Sequence, residues 1–207
     1  MKGKALFVMV LSAGVLACQP ASQAAKEEKP MMVAKSEKNM STKDGKAESF
    51  RRALAAQDKW QKACSNPAQI APKGIDVAQF IKEMKATIKY PEDGKIVGDW
   101  KKGEALVLLP KEYKAIYGKK GGSKKGNCYA CHCGDPRIIA CGNIGPSLRG
   151  YANKGIDPKM TYERIYNPWS QVPCSTMFRF GYHGLLSPEE IADIVAYLHD
   201  PESPINK

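Results

Sequence analysis

Two thiols and an imidazole stand within five positions of one another in Cys128-Tyr129-Ala130-Cys131-His132. Thiols three positions apart can each add to one vinyl group of the same haem, and the next side chain then reaches the iron. This is the spacing of covalent, c-type haem attachment. Cys-x-x-Cys alone also serves as a redox pair or as half of a zinc site. Zinc at this place would have to be wrapped by the adjacent residues His132 and Cys133, an awkward geometry. The expectation is one covalently bound haem c, with Cys128 and Cys131 as thioether anchors and His132 as the first axial ligand of the iron.

An electron carrier fills the second axial position as well. The segment from Asn167-Pro168 to Gly184 precedes a C-terminal helix and contains Met177. A thioether is a soft ligand suited to haem iron, and Met/His ligation raises the reduction potential. His183 and Cys174 lie in the same loop and are the alternatives. Met31, Met32 and Met40 fall in a polar stretch, Met84 lies on an apolar helix face and Met160 precedes a helical segment. With Met177 and His132 both on the iron, no open site is left for a small molecule, which favours electron transfer over chemistry at the metal.

The start of the chain sends this chemistry out of the cytoplasm. Met1-Lys2-Gly3-Lys4 is short and positive, and the apolar run from Ala5 to Leu16 suits the core of an export signal while being too short to span a bilayer. It closes on Val15-Leu16-Ala17-Cys18, which resembles a bacterial lipobox with Cys18 as the lipidated residue. Ordinary cleavage farther on, for example after Ala24, would discard Cys18 instead. Gln19 in place of Asp after the cysteine favours the outer membrane, by resemblance to lipoprotein sorting. The expected location is the periplasm, with contact to a membrane through the lipid anchor. Residues 19–48 carry few large hydrophobes and cannot bury enough apolar surface to fold. As a flexible tether they would span on the order of 30 Å. The formal charge is +11, and loss of Lys2 and Lys4 with the signal lowers it by two. In an exported haem protein this points away from nucleic acid and toward steering of an acidic redox partner, with general solubility as the alternative.

The folded part reads as all-α. Ala47–Cys64 is expected as one helix and Ile75–Ile88 as a second, so that residues 49–95 form a helical extension ahead of a haem domain at 96–207. Tyr90-Pro91-Glu92-Asp93-Gly94 is a turn. Gly98–Val107 is the next helix, with Gly103 placed to admit a close neighbour. Residues 111–126 read as an insertion whose second half, Tyr117–Gly126, is a flexible basic loop with Lys119, Lys120, Lys124 and Lys125 available to a partner. Ser187-Pro188-Glu189-Glu190 is a capping box opening the last helix, whose stripe Ile191, Ile194, Val195 and Leu198 should pack across the Gly98–Val107 helix.

From Gly98 to Lys207 the chain resembles the monohaem X subunits of the SoxAX cytochromes of bacterial sulfur oxidation, within the class I cytochromes c. The likeness lies in Gly126-Asn127 leading into the haem motif, Gly142-Asn143-Ile144-Gly145-Pro146-Ser147-Leu148, Tyr166-Asn167-Pro168, Met177 to Gly181 with Gly184, Ile191–Leu198, and the tail Asp200-Pro201-Glu202-Ser203-Pro204-Ile205-Asn206. It implies a class I cytochrome c fold in which the Pro146 carbonyl accepts the His132 N–H and Leu148 packs on the haem. It also implies a role as the electron-accepting subunit of an L-cysteine S-thiosulfotransferase. A SoxA-type haem subunit would couple thiosulfate to a cysteine of a sulfur-carrier protein, and this chain would pass the electrons to a soluble cytochrome c. A stand-alone periplasmic lipoprotein cytochrome is the alternative. Phe178 departs from the family, which often has proline after the ligand methionine.

Four cysteines remain: Cys64, Cys133, Cys141 and Cys174. An even number in an oxidising compartment permits two disulfides with three connectivities. Cys133–Cys141 would bridge the loop after the haem motif, and Cys64–Cys174 would pin the extension to the Met177 loop. Buried free thiols and a sulfur-carrying cysteine are the other options.

Overall fold

The computed structural model describes residues 48, 51–52, 55–65 and 76–207. Cys18, the export signal and the tether up to its last residue therefore lie outside the described residues. Those described are helical with no strand among them, and they belong to one compact unit. Six α-helices follow in order: α1 Lys59–Cys64, α2 Val77–Ala86, α3 Trp100–Val107, α4 Pro110–Tyr117, α5 Pro158–Tyr166 and α6 Pro188–His199. Short 3-10 turns stand at Cys128–Ala130, Tyr151–Lys154, Pro168–Ser170 and Pro204–Asn206. None of the described helices is long and apolar enough to cross a membrane.

The central packing is α3 across α6, with α5 on a second side of α6. Gly103 makes this crossing possible: a Cβ there would stand 2.0 Å from the Asp193 carbonyl oxygen and 2.9 Å from Tyr197 Cβ. The backbone also joins the two segments directly, Gly98 N–H donating to the Ala192 carbonyl at 2.9 Å. The α6 stripe is buried to the last residue, with Ile191, Ile194, Val195 and Leu198 each no more than 5% exposed. Ser187 and Glu190 close the capping box, with Pro188 at the first helical position.

Two sequence-level readings are corrected. Ala47–Cys64 is not one helix: the chain leaves helical geometry at Gln57 and restarts at Lys59. Asp58 forces the restart, because its carboxylate caps the Gln61 N–H while the Gln61 side chain returns to the Asp58 N–H. The insertion 111–126 is corrected at one end of its expected loop, Tyr117–Gly126, because Tyr117 closes a helix. Its first half is α4, opened by Pro110 at the first position and by Glu112, whose carboxylate accepts the Leu109 N–H at 2.8 Å. The second half is tied down by Ser123 N–H to the Leu108 carbonyl at 2.8 Å and by the Lys125–Glu190 ion pair at 2.6 Å.

A second, smaller core holds α1 and α2 in place. Phe80, fully buried, lies between Trp60 at 4.7 Å and Trp169 at 5.6 Å, with Met84 beside them. Trp169 belongs to the turn that begins the Met177 segment, so this core joins the extension to that segment.

Candidate functional site

The Cys-x-x-Cys-His motif is held by the 3-10 turn Cys128–Ala130, tied by Cys131 N–H and His132 N–H to the Cys128 carbonyl at 3.1 and 3.0 Å. The turn starts from Asn127 in left-handed geometry, φ 42°. Tyr129 is 2% exposed and belongs to the large core, against which Cys128 also packs. Cys128 and Cys131 are both unpaired. Burial pushes the Cys128 thiol up to about 12, so without a partner it stays protonated and unreactive toward oxidants near neutral pH.

His132 is oriented by the backbone. Its Nδ1 lies 2.7 Å from the Pro146 carbonyl oxygen. A carbonyl only accepts, so Nδ1 carries the proton and Nε2 keeps its lone pair. Gly145 lets the chain pass flat against the ring: a Cβ there would lie 2.2 Å from His132 Cε1 and 2.8 Å from Nε2. The Gly145 N–H returns to the Cys131 carbonyl at 2.8 Å and Leu148 N–H to the Cys133 carbonyl at 2.6 Å. The segment after the motif is thus laced to the motif itself. Leu148, Cys128 and Met177 all pack against the same large core, partly buried at its edge.

The four remaining cysteines form two bonds. Cys133 is joined to Cys141 with Cα atoms 5.0 Å apart, and Cys64 to Cys174 at 5.3 Å. These are the two pairings that the sequence favours. They also narrow the alternatives. Cys133 is committed to sulfur, which removes it from a zinc site with His132, and Cys174 is committed likewise, which removes it as an iron ligand. Among the described residues no group of three or more His, Cys, Asp or Glu side chains is placed to hold a metal ion. A protein-only metal site needs about three or four such donors, whereas a porphyrin brings four nitrogens of its own. Two thiols, one oriented imidazole and a thioether are the donor set that fits haem. Of the alternatives in the Met177 segment, His183 is exposed and lies against Phe178 and Tyr182, with ring centroids 5.2 and 5.1 Å away. Phe178, 49% exposed, also meets Phe180 edge-on at 5.1 Å, so it is an outward-facing part of an aromatic cluster.

Two constellations beside the motif escape sequence reasoning. Arg137 bridges the buried carboxylates of Glu104 and Asp135, its Nη2 lying 2.5 Å from each. Tyr129, inside the attachment motif, joins this network through Tyr197 at 2.8 Å, and Tyr197 donates to Asp135 at 3.3 Å. Burial pushes the Tyr129 and Tyr197 phenols well above the ordinary tyrosine range, so both stay neutral. The second is Arg179, two residues past Met177, 4% exposed and clasped between aromatic rings. Asp135-Pro136-Arg137 hints at the first only through the placing of opposite charges just after the motif. No sequence signal marks the second.

The chain matches no known protein-family model. It is 84% identical, over 207 residues covering all of both chains, to a protein of Aquifex aeolicus (strain VF5) named "Uncharacterized lipoprotein", and it belongs to the same family as that protein.

Proposed function

We propose that this member of the lipoprotein family is a monohaem c-type cytochrome of the class I fold, serving as the electron-accepting X-type subunit of a SoxAX thiosulfate-oxidising complex. One observation carries the haem reading: four of the six described cysteines are bonded in pairs, while the two left free are Cys128 and Cys131, beside an imidazole whose Nδ1–H is committed to the Pro146 carbonyl. In this reading Cys128 and Cys131 would fix the porphyrin covalently, His132 Nε2 and Met177 Sδ would be the iron ligands, and Leu148 would pack on the ring. A haem so held supplies a one-electron iron couple. The protein supplies a closed coordination sphere, a fixed histidine tautomer and a dry edge built on the α3–α6 core. Hydrogen bonding from His132 to a carbonyl makes the imidazole a stronger donor, and the thioether opposite it raises the potential.

The place in sulfur oxidation rests on the resemblance of residues 98–207 to SoxAX X subunits. Thiosulfate chemistry then belongs to the SoxA-type subunit, and a soluble cytochrome c takes the electrons onward. The relative's name supports lipidation at Cys18, with the tether holding the haem domain in the periplasm near a membrane.

Expression with a c-type maturation system is expected to give a red protein with one haem per chain, and Met177→Ala is expected to change its ferric spectrum. A colourless product ends the haem reading. A pull-down from thiosulfate-grown cells is expected to recover a second, haem-bearing subunit whose addition of thiosulfate reduces this chain. Recovery of this cytochrome alone, reducible by other donors only, decides for the stand-alone membrane-tethered carrier, which the relative's lipoprotein name also suits.

A further inference from the structure

The segment that carries Met177 is supported from within by turns, such as Ser175 N–H to the Val172 carbonyl at 3.1 Å and His183 N–H to the Arg179 carbonyl at 3.0 Å. Between the 3-10 turn ending at Ser170 and the capping box at Ser187 it contains no helix. Helix α5 holds it through the Tyr166 carbonyl, which accepts from the Gly181 and Tyr182 N–H groups at 3.0 and 3.1 Å; residues 58–65 and 76–87 hold it on both sides of Met177. Upstream, Cys174 is bonded to Cys64 in α1. Its neighbour Ser175 gives its carbonyl to Trp169 Nε1 at 2.8 Å, and Trp169 leans on Phe80 of α2. Downstream, the Arg179 guanidinium lies 4.0 Å from the Trp169 ring centroid and 4.1 Å from that of Tyr182. Tyr182 in turn donates to the carboxylate of Asp58, the cap of α1, at 3.3 Å.

Arg179 Nη1 is buried and has no hydrogen-bond partner among the described residues. A cation left this way is retained by the faces of the two rings and by the carboxylate behind Tyr182. One of those rings stands on α2 and the other on the cap of α1, so the guanidinium is a key between the extension and the segment.

We propose that residues 58–65 and 76–87 are a brace that positions Met177, with Cys174 and Arg179 as the positioning residues through which it acts; this inference rests on the reading of Met177 as the iron ligand. With Cys174 and Arg179 both fixed, only Ser175 to Phe178 lie between them. Releasing either anchor lengthens the free segment and raises the population in which the thioether is off the iron. A competing ligand binds only that open population, so its apparent affinity rises in proportion to it.

The test titrates the ferric holoprotein with imidazole, and follows the thioether-to-iron absorption band and the reduction potential. Three brace variants are compared: Cys64→Ser with Cys174→Ser, Arg179→Met, and the milder Phe80→Leu. Each is paired with the same change in a Met177→Ala background. Met177→Ala itself is expected to bind imidazole far more tightly. The brace variants are expected to raise imidazole affinity, by on the order of tenfold where an anchor is removed, about 1.4 kcal/mol in loop closure, and to lower the potential. In the Met177→Ala background they are expected to add nothing, since the group they position is gone. A purely structural role would lower the melting temperature and leave imidazole affinity alone in both backgrounds, which overturns the brace while the ligand assignment stands. If Met177→Ala leaves the spectrum and imidazole affinity unchanged, the ligand assignment fails and the brace falls with it.

Discussion

Arg137 carries a burden out of proportion to one side chain. It is the counter-ion of Glu104 and Asp135, whose side chains are 4% and 0% exposed, and it is itself 32% exposed. Its guanidinium also reaches the Tyr117 hydroxyl at 3.2 Å, which donates on to Glu104. Hydrogen bonding to Asp135 holds the Arg137 guanidinium above even the ordinary arginine range. Removing a partner from a buried ion pair leaves an uncompensated charge in a poorly hydrated place, and this loss is typically several kcal/mol. Water can reach the Arg137 end, which puts the effect at the low end. Arg137→Gln should therefore destabilise the fold by about 3 kcal/mol in denaturant unfolding. Because Tyr129 belongs to the same network, the variant should also carry less haem per chain after maturation. A midpoint within experimental error of the parent would show that the network contributes nothing net.

Helices were legible where local chemistry announces them and illegible where it does not. The start of α6 is written in Ser187-Pro188-x-Glu190, and the α3–α6 crossing in a glycine, Gly103, that a plain helix would have no reason to keep. By contrast, Asp58 reads along the chain as one more charge in an amphipathic run, and only its Asp-x-x-Gln pairing with Gln61 betrays the break. α4 is a short helix in a lysine-rich stretch, and its cap is made by Glu112 reaching back to an apolar residue, a signal too weak to separate helix from loop. At this scale the joint between α1 and α2 carries a pH dependence. Glu83 accepts from Trp60 Nε1 at 2.6 Å, Gln79 Nε2 at 2.7 Å and Lys59 Nζ at 2.8 Å. The Lys59 hydrogen bond, followed by those of Gln79 and Trp60, lowers its carboxyl from the ordinary 4.5 to about 2. For a carboxylate depressed on folding, the stabilisation is complete above the unfolded value and is lost as pH falls through the folded one. The Trp60 fluorescence should therefore be steady from neutral pH down to about 4.5, change between there and about 2, and lose this transition in Glu83→Gln. An identical acid profile in that variant would place the transition elsewhere.

Across the whole molecule the same division holds. The Cys-x-x-Cys-His motif and the Pro146 carbonyl beside His132 could be read because each lies in one contiguous segment with a characteristic spacing. The links that hold them together could not, because Glu104 with Arg137, or Arg179 with Trp169 and Tyr182, are pairings that only the fold creates. The disulfide between Cys64 and Cys174, 110 residues apart, was accessible through cysteine parity alone. Charge is a property of the molecule too, and here the fold sharpens a coarse reading. Of the four lysines between α4 and the attachment motif, Lys125 is spent on Glu190 at 2.6 Å, while Lys119, Lys120 and Lys124 are exposed and stand close in sequence to Cys128. Fields from such a cluster raise the encounter rate with an anion by up to one or more powers of ten at low salt, and salt screens them within about 10 Å at 0.1 M. With the haem protein in hand, replacing Lys119, Lys120 and Lys124 together by Gln should slow its oxidation by ferricyanide on the order of tenfold at low ionic strength, and flatten the fall of that rate with added salt. Lys125→Gln alone should do much less, since Glu190 already offsets its charge. Stopped-flow rates across a salt series distinguish the outcomes: parallel slopes for the parent and the triple variant would mean that electrons leave through another face.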